Sequence, residues 1–316
     1  MKISVLDRCT VESNGDIDWG KITAIGETSF FDLLTDEEMI EFCKDSEAVL
    51  VNKKVITAEI MDKLPSLRYI GLFATGYNNI DLAAAKERGI TVVNAPGYST
   101  DFVAQTALSY MLYFSNSVHL YNEAVKRGDW INSTTFSFFT YPLSELKGKT
   151  LGIFGFGNIG KRVAQLGNAF GMKVIAYSRS RFECGYCEEV DRERLFRESD
   201  FLSIHCPLTP DTKEIINKET ISLMKKTAVL INTSRGGTIN EKDLAAALNN
   251  GDIKAAAVDV LSAEPMREDN PLYKAKNCVI TPHVAWAARE TRERLVSLVA
   301  ENLKAFIEGN PQNVVN

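Results

Sequence analysis

Residues 150–179 constrain the fold more than any other stretch. Thr150-Leu151-Gly152-Ile153-Phe154 is a short apolar run of β type, and Gly155-Phe156-Gly157-Asn158-Ile159-Gly160 follows it without a break. Lys161 to Gly171 then carries Val163, Leu166, Gly167 and Phe170 on one side of a helix, and a second apolar run starts at Met172. A G-x-G-x-x-G turn between strand and helix is the context of a dinucleotide site. Gly155 permits the tight turn, Gly157 lets the backbone approach a pyrophosphate, and Gly160 lets the helix pack on the strand. The helix N-terminus then offers its N–H groups to the phosphates. Outside a βαβ unit this spacing is only a glycine-rich turn; inside one it marks Gly155, Phe156, Gly157, Asn158, Ile159 and Gly160 as cofactor residues.

At 316 residues, 45% of them hydrophobic and 24% charged, the chain can build two domains with separate cores. Its start, Met1-Lys2-Ile3-Ser4-Val5-Leu6-Asp7, meets a charge too early for the apolar centre of a signal peptide, and no stretch approaches a membrane span. The six cysteines, several in apolar runs, read as reduced thiols rather than a disulfide framework. Together these features point to the cytoplasm. A net charge of −5 with no basic block argues against nucleic acid or an anionic membrane as partner, and an anionic substrate must be held by local groups.

Residues 1–97 read as a first α/β unit. Apolar runs recur at Ile3–Leu6, Ala48–Val51, Tyr69–Ala74 and Ile90–Val93, with helical stretches near Asp36–Lys44, Thr57–Lys63 and Asp81–Arg88. Asp81 reads as an N-cap and Gly89 as a stop. Residues 99–119 read as one long helix, followed by Gly128-Asp129-Trp130 and the aromatic loop Phe136-Ser137-Phe138-Phe139-Thr140-Tyr141-Pro142. So many apolar side chains suggest cover by an interdomain seam or a second subunit, and a homodimer through 99–119 and 130–142 is expected. From 150 onward strands recur at Thr150–Phe154, Lys173–Tyr177, Phe201–Cys206, Ala228–Asn232, Ala255–Val260 and Cys278–Thr281. A final helix, Arg289 to Glu308, is expected to return to the first unit. The expected fold is α/β with two Rossmann-like domains built on doubly wound parallel sheets: a discontinuous flavodoxin-like substrate domain, 1–97 and 286–316, and a Rossmann domain, 98–285.

Ligands of open parallel sheets bind outside the carboxyl ends of the strands. There the second sheet presents Asn232-Thr233-Ser234-Arg235-Gly236-Gly237, Asp259 with Glu264-Pro265 soon after it, Pro282-His283, and His205-Cys206-Pro207. Arg235, Glu264 and His283 are distant in sequence yet share the sheet edge that carries the glycine turn. Singly, each has an ordinary alternative: a surface turn, a solvated carboxylate, a loop histidine. Jointly they place a guanidinium, a carboxylate and an imidazole beside a nicotinamide.

These blocks, with Ala74-Thr75-Gly76-Tyr77-Asn78-Asn79-Ile80-Asp81, Asn94-Ala95-Pro96-Gly97 and Thr281-Pro282-His283-Val284-Ala285, resemble the D-isomer-specific 2-hydroxyacid dehydrogenases over essentially the whole chain. Tyr141-Pro142-Leu143 and Ala285-Trp286-Ala287 bring it nearest to the glycerate dehydrogenases, also called hydroxypyruvate reductases. The resemblance implies that Arg235 holds the substrate carboxylate and polarises the C2 carbonyl, a two-point contact that suits a planar fork of donors. It implies that His283 donates the proton while hydride leaves the nicotinamide, and that Glu264 orients the ring and favours imidazolium, so that Glu264→Gln brings the loss of reduction to lower pH. It carries the substrate carboxylate to the N–H groups of Thr75 and Gly76, with Asn52, Lys53 and Trp286 as weaker pocket candidates. It carries the cofactor to His205, Cys206, Pro207, Thr212, Thr233 and Asp259, the last at the nicotinamide carboxamide.

The end of the second strand decides between cofactors. NAD enzymes place an acid there for the ribose hydroxyls, whereas this chain has Ser178-Arg179-Ser180 and no carboxylate until Glu183. Hydroxyls and a guanidinium suit a 2′-phosphate, so NADP is favoured and NAD stays open. Cys184-Gly185-Tyr186-Cys187 lacks a second pair or a nearby histidine to complete a metal site, and no metal is expected. His119, among apolar neighbours, reads as structural. The expected activity is reduction of a small 2-oxo acid, hydroxypyruvate to D-glycerate or glyoxylate to glycolate. D-lactate or another D-2-hydroxyacid dehydrogenase is the alternative within enzymes. A dinucleotide-sensing corepressor is the alternative outside them, disfavoured because Arg235, Glu264 and His283 occur together and no added segment follows the last helix.

Overall fold

The computed structural model describes residues 1–316, which divide into two compact units, Met1–Ser99 with Trp286–Asn316 and Thr100–Ala285. No helix is long and apolar enough to cross a membrane.

The first unit is built on a parallel sheet of β1 (Lys2–Val5), β2 (Glu27–Phe30), β3 (Ala48–Val51), β4 (Tyr69–Leu72) and β5 (Thr91–Val93). Its order, β2-β1-β3-β4-β5, is that of flavodoxin-like sheets. The central strands β3 and β4 are buried at every position, as expected of parallel strands covered on both faces. β2 was not expected from the sequence. It is an edge strand of sequence Glu-Thr-Ser-Phe without a fully buried position, so no apolar run marks it. Asp81 does cap the Leu82–Glu87 helix, accepting the Ala84 N–H, and Gly89 follows in the left-handed region at φ 67°. The Arg289–Ile307 helix packs Leu295, Val296, Val299 and Leu303 against Ile3, Leu50, Tyr69 and Phe73. Residues 314–316 then line the outer edge of β5. Val314 bridges Val93, the Val315 N–H donates to Val92 O at 2.9 Å, and the Asn316 side chain joins Val92 N and Ile90 O.

The second unit carries seven parallel strands: β6 (Thr150–Phe154), β7 (Lys173–Tyr177), β8 (Glu188–Glu189), β9 (Phe201–Ile204), β10 (Val229–Asn232), β11 (Ala255–Val258) and β12 (Cys278–Ile280). The order β12-β11-β10-β9-β6-β7-β8 reverses direction between β6 and β9, the arrangement of a dinucleotide-binding sheet. The sequence marks six of these strands. β8, two exposed glutamates, has no apolar signal.

The long helix expected over 99–119 is two helices, Thr100–Asn116 and Val118–Lys126. Ser117 breaks it with a left-handed backbone, φ 47°, and its hydroxyl donates to Pro142 O at 3.0 Å. Apolar spacing runs on through the break, so periodicity could not place it. Val103, Ala104, Ala107, Tyr110 and Met111 form the buried face of the first of these helices.

Candidate active site

The glycine turn divides its labour as its spacing requires. Gly155 has φ 102°, and a Cβ there would lie 2.7 Å from Cys206 N; a Cβ on Gly160 would lie 2.1 Å from Gly155 O. Both positions therefore exclude a side chain. Gly157 differs, because a Cβ there meets nothing within 4 Å. It is the N-cap of the Asn158–Ala169 helix, which has no side-chain cap and no acid in its first turn. Open space faces uncapped N–H groups, which fits a dinucleotide pyrophosphate. Phe156 turns the other way and stacks on Phe182 with centroids 3.9 Å apart.

Around this turn the cofactor candidates are set by burial. His205 bonds Ser203 Oγ through Nε2 at 2.8 Å, while its Nδ1 is buried without a partner. Burial pushes its pKa down to about 3, so the ring is neutral. Cys206 is buried too, and its thiol is pushed up to about 11. Pro207 is exposed, and its carbonyl accepts the Thr212 hydroxyl at 2.6 Å. Thr233 Oγ1 is buried without a partner. At the end of β7 Ser178 is half-buried, Arg179 and Ser180 are exposed, and no carboxylate stands among them.

Arg235, Glu264 and His283 line one cleft of about 230 Å³, with Leu208, Gly236, Gly237, Val260, Leu261 and Ser262. His283 Nδ1 lies 2.7 Å from Glu264 Oε2. The Glu264 loop is fixed from behind, since Glu264 Oε1 accepts the Leu261 N–H at 3.0 Å and Glu241 accepts both the N–H and the hydroxyl of Ser262. The turn of Arg235 is shaped by buried Asn232, which donates to Arg235 O at 3.0 Å and accepts from the Ser234 N–H and hydroxyl. A Cβ on Gly236 would fall 1.9 Å from Leu261 C, so only glycine lets this turn lie against the loop after β11.

Asp259, the residue expected at the nicotinamide carboxamide, directly follows β11. It is 1% exposed, and its carboxylate accepts the Thr281 hydroxyl at 2.5 Å and the N–H groups of Val284 and Ala285 at 2.9 and 2.8 Å. These bonds commit it to the loop of His283. Burial raises its pKa and the three donors oppose that rise.

The candidates in the first unit lie at the ends of its strands. Thr75 donates its hydroxyl to Ala95 O at 2.9 Å, and the N–H groups of Thr75 and Gly76 take no backbone acceptor. Asn52 is buried and donates to Thr10 Oγ1 at 2.8 Å, whereas Lys53 is exposed. Trp286 packs edge-on against Tyr98 at 6.3 Å. Sequence reasoning missed Asp7, a buried residue whose Oδ2 accepts the N–H groups of Asn52, Lys53 and Lys54. Its signal was available: an acid directly after a buried strand.

Arg192 was missed as well. Its guanidinium lies 5.0 Å from the ring centroid of Tyr177 and 5.9 Å from that of Phe154, beside the ends of β7 and β6. It counts among the groups that lower the Cys206 pKa against burial. Nothing local in Asp191-Arg192-Glu193 distinguishes it from a solvated helix start.

The family model for the NAD-binding domain of D-isomer-specific 2-hydroxyacid dehydrogenases matches residues 108–285. A hydroxypyruvate reductase of Blautia hydrogenotrophica is 44% identical, with 100% of each chain covered. A glycerate dehydrogenase of Methylorubrum extorquens is 40% identical over 89% of each. Among solved structures, an acyclic imino acid reductase in complex with NADPH and D-Arg superposes with a TM-score of 0.88 at 32% identity, covering 100% of both chains.

Proposed function

The chain belongs to the D-isomer-specific 2-hydroxyacid dehydrogenase family, and from that premise we propose that it reduces hydroxypyruvate to D-glycerate, and glyoxylate to glycolate. The observation that carries the proposal is the 2.7 Å contact between His283 and Glu264 in a cleft shared with Arg235. A reduced nicotinamide dinucleotide bound at the glycine turn supplies the hydride. The protein's own groups do the rest. Arg235 presents two parallel donors to a carboxylate. Glu264 holds the His283 ring by Nδ1, so Nε2 is the nitrogen from which a proton passes to the carbonyl oxygen. Thr75 and Gly76 offer N–H groups that suit a substrate carboxylate, with Asn52, Lys53 and Trp286 as further candidates for substrate contact.

The test is loss of reduced-nicotinamide absorbance with a panel of 2-oxo acids and each cofactor. Turnover of hydroxypyruvate or glyoxylate at least tenfold above pyruvate is expected. A cofactor-binding protein inert toward every 2-oxo acid would remove the proposal in favour of a sensor.

NADP is the cofactor this reading favours. Ser178, Arg179 and Ser180 stand where NAD enzymes carry an acid, and Arg192 adds a second cation at the ends of β6 and β7. Arg192→Leu is expected to weaken NADPH binding about tenfold with little change for NADH, a loss of one charge-assisted contact. Equal affinity of the natural chain for NADH and NADPH would sink the preference.

A homodimer completes the proposal. Ile131, Phe136 and Phe139 are 86%, 91% and 81% exposed, with Trp130, Leu143 and Val118 more than half exposed. A concentration of large apolar side chains along one segment suits burial by a second copy. Sedimentation of a monomer at micromolar concentration would exclude it.

A further inference from the structure

The loop that carries His283 is held in a demanding shape. His283 itself has φ 54°, a left-handed backbone for a residue with a Cβ. Its N–H donates to Asp259 O at 2.8 Å and Thr281 O at 3.0 Å, and the next two N–H groups go to the Asp259 carboxylate. One buried carboxylate therefore gathers the loop on which the ring stands.

The third donor to that carboxylate, the Thr281 hydroxyl, has a partner of its own. Tyr110 Oη lies 2.5 Å from Thr281 Oγ1. The directions of these bonds follow from chemistry. An ionised Asp259 can only accept, so Thr281 donates to it; Thr281 then has only lone pairs left, so Tyr110 donates to Thr281. Tyr110 stands on the Thr100–Asn116 helix, 7% exposed, far in sequence from every residue of the cleft.

We infer that Tyr110 is a positioning residue for His283, its hydroxyl fixing Thr281 so that Thr281 and Asp259 hold the His283 loop in register with Glu264. The inference rests on the reading of His283 as proton donor. Without the Tyr110 hydroxyl, the Thr281 hydroxyl can turn to another acceptor, Asp259 loses a donor, and the loop slackens. A shift of about 1 Å at a reacting group can cost roughly a hundredfold in rate, so a partial loss is expected from loss of one remote bond.

The experiment is a double-mutant cycle read by varying hydroxypyruvate at saturating NADPH. Tyr110→Phe is expected to lower kcat about tenfold with KM changed less than twofold. Thr281→Val is expected to lower kcat by at least as much, and the double variant no further than Thr281→Val alone, because both act through one chain of bonds. Thr281→Ser, which keeps a hydroxyl, should recover most of what valine loses. A natural kcat in Tyr110→Phe, or losses that multiply in the double variant, would overturn the inference. So would a fall in thermal midpoint with kcat and KM degraded together, which is the mark of a merely structural tyrosine. His283→Gln is the separate control: retention of activity there removes the proton-donor reading itself, whatever Tyr110 does.

Discussion

The two sheets of this chain solve the same topological problem in opposite ways. Each is parallel, and each has a point where neighbouring strands send their connections in opposite directions and leave a crevice. In the first sheet that point lies between β1 and β3, and it is filled: the Asp7 carboxylate, just past β1, takes three N–H groups from the loop after β3. In the second it lies between β6 and β9, and it is kept clear at Gly157, where a Cβ would meet nothing within 4 Å. An acid fills one crevice from inside. The other is left to be closed by a phosphate. Fold alone does not make a nucleotide site; what stands at the first turn does.

Three substitutions test that contrast. Asp7→Ala strands three N–H groups and should cost about 3 kcal/mol of stability, seen as a lower denaturation midpoint, with cofactor affinity unchanged. Loss of cofactor binding in that variant would mean the crevices are not independent. Gly157→Asp should do the reverse. It has room and an unstrained φ of −80°, so stability should hold within about 0.5 kcal/mol, while dinucleotide affinity falls about thirtyfold by charge repulsion. The third concerns His205, at the rim of the open crevice, and shows only on acidification. Its pKa of about 3 in the folded chain lies below the ordinary 6.5, so the unfolded chain takes up the proton first as pH falls. Stability is then present above pH 6.5 and lost between 6.5 and about 3, by at most about 1.4 kcal/mol per pH unit. His205→Gln should flatten acid denaturation in that window, and an unchanged curve would show that the ring is not held neutral.

What could be read from sequence was whatever hydrophobic runs and glycines encode. The strands β3, β4, β6 and β10 are buried at every position and announce themselves as apolar runs. Arg235, Glu264 and His283 were legible because strand order alone brings their loops to one edge, and they do line one cleft. The features that escaped have no such signature. β2 and β8 are polar edge strands, and the break at Ser117 is a backbone event inside an uninterrupted apolar period. Tyr110 and Arg192 matter through what lies beside them in space, and their local sequence is that of ordinary helical residues. Asp259 shows what likeness leaves unsaid: resemblance implies a role at the nicotinamide, and nothing in the local sequence foretells that its carboxylate also accepts from Thr281, Val284 and Ala285.

The short tail along β5 has a consequence for handling the protein. An outer strand with unsatisfied N–H and carbonyl groups is a template for pairing with another chain. Here residues 314–316 satisfy part of that row from the same molecule. Trimming them, or pulling them aside with a purification tag, would be felt first as clumping during concentration rather than as slower turnover.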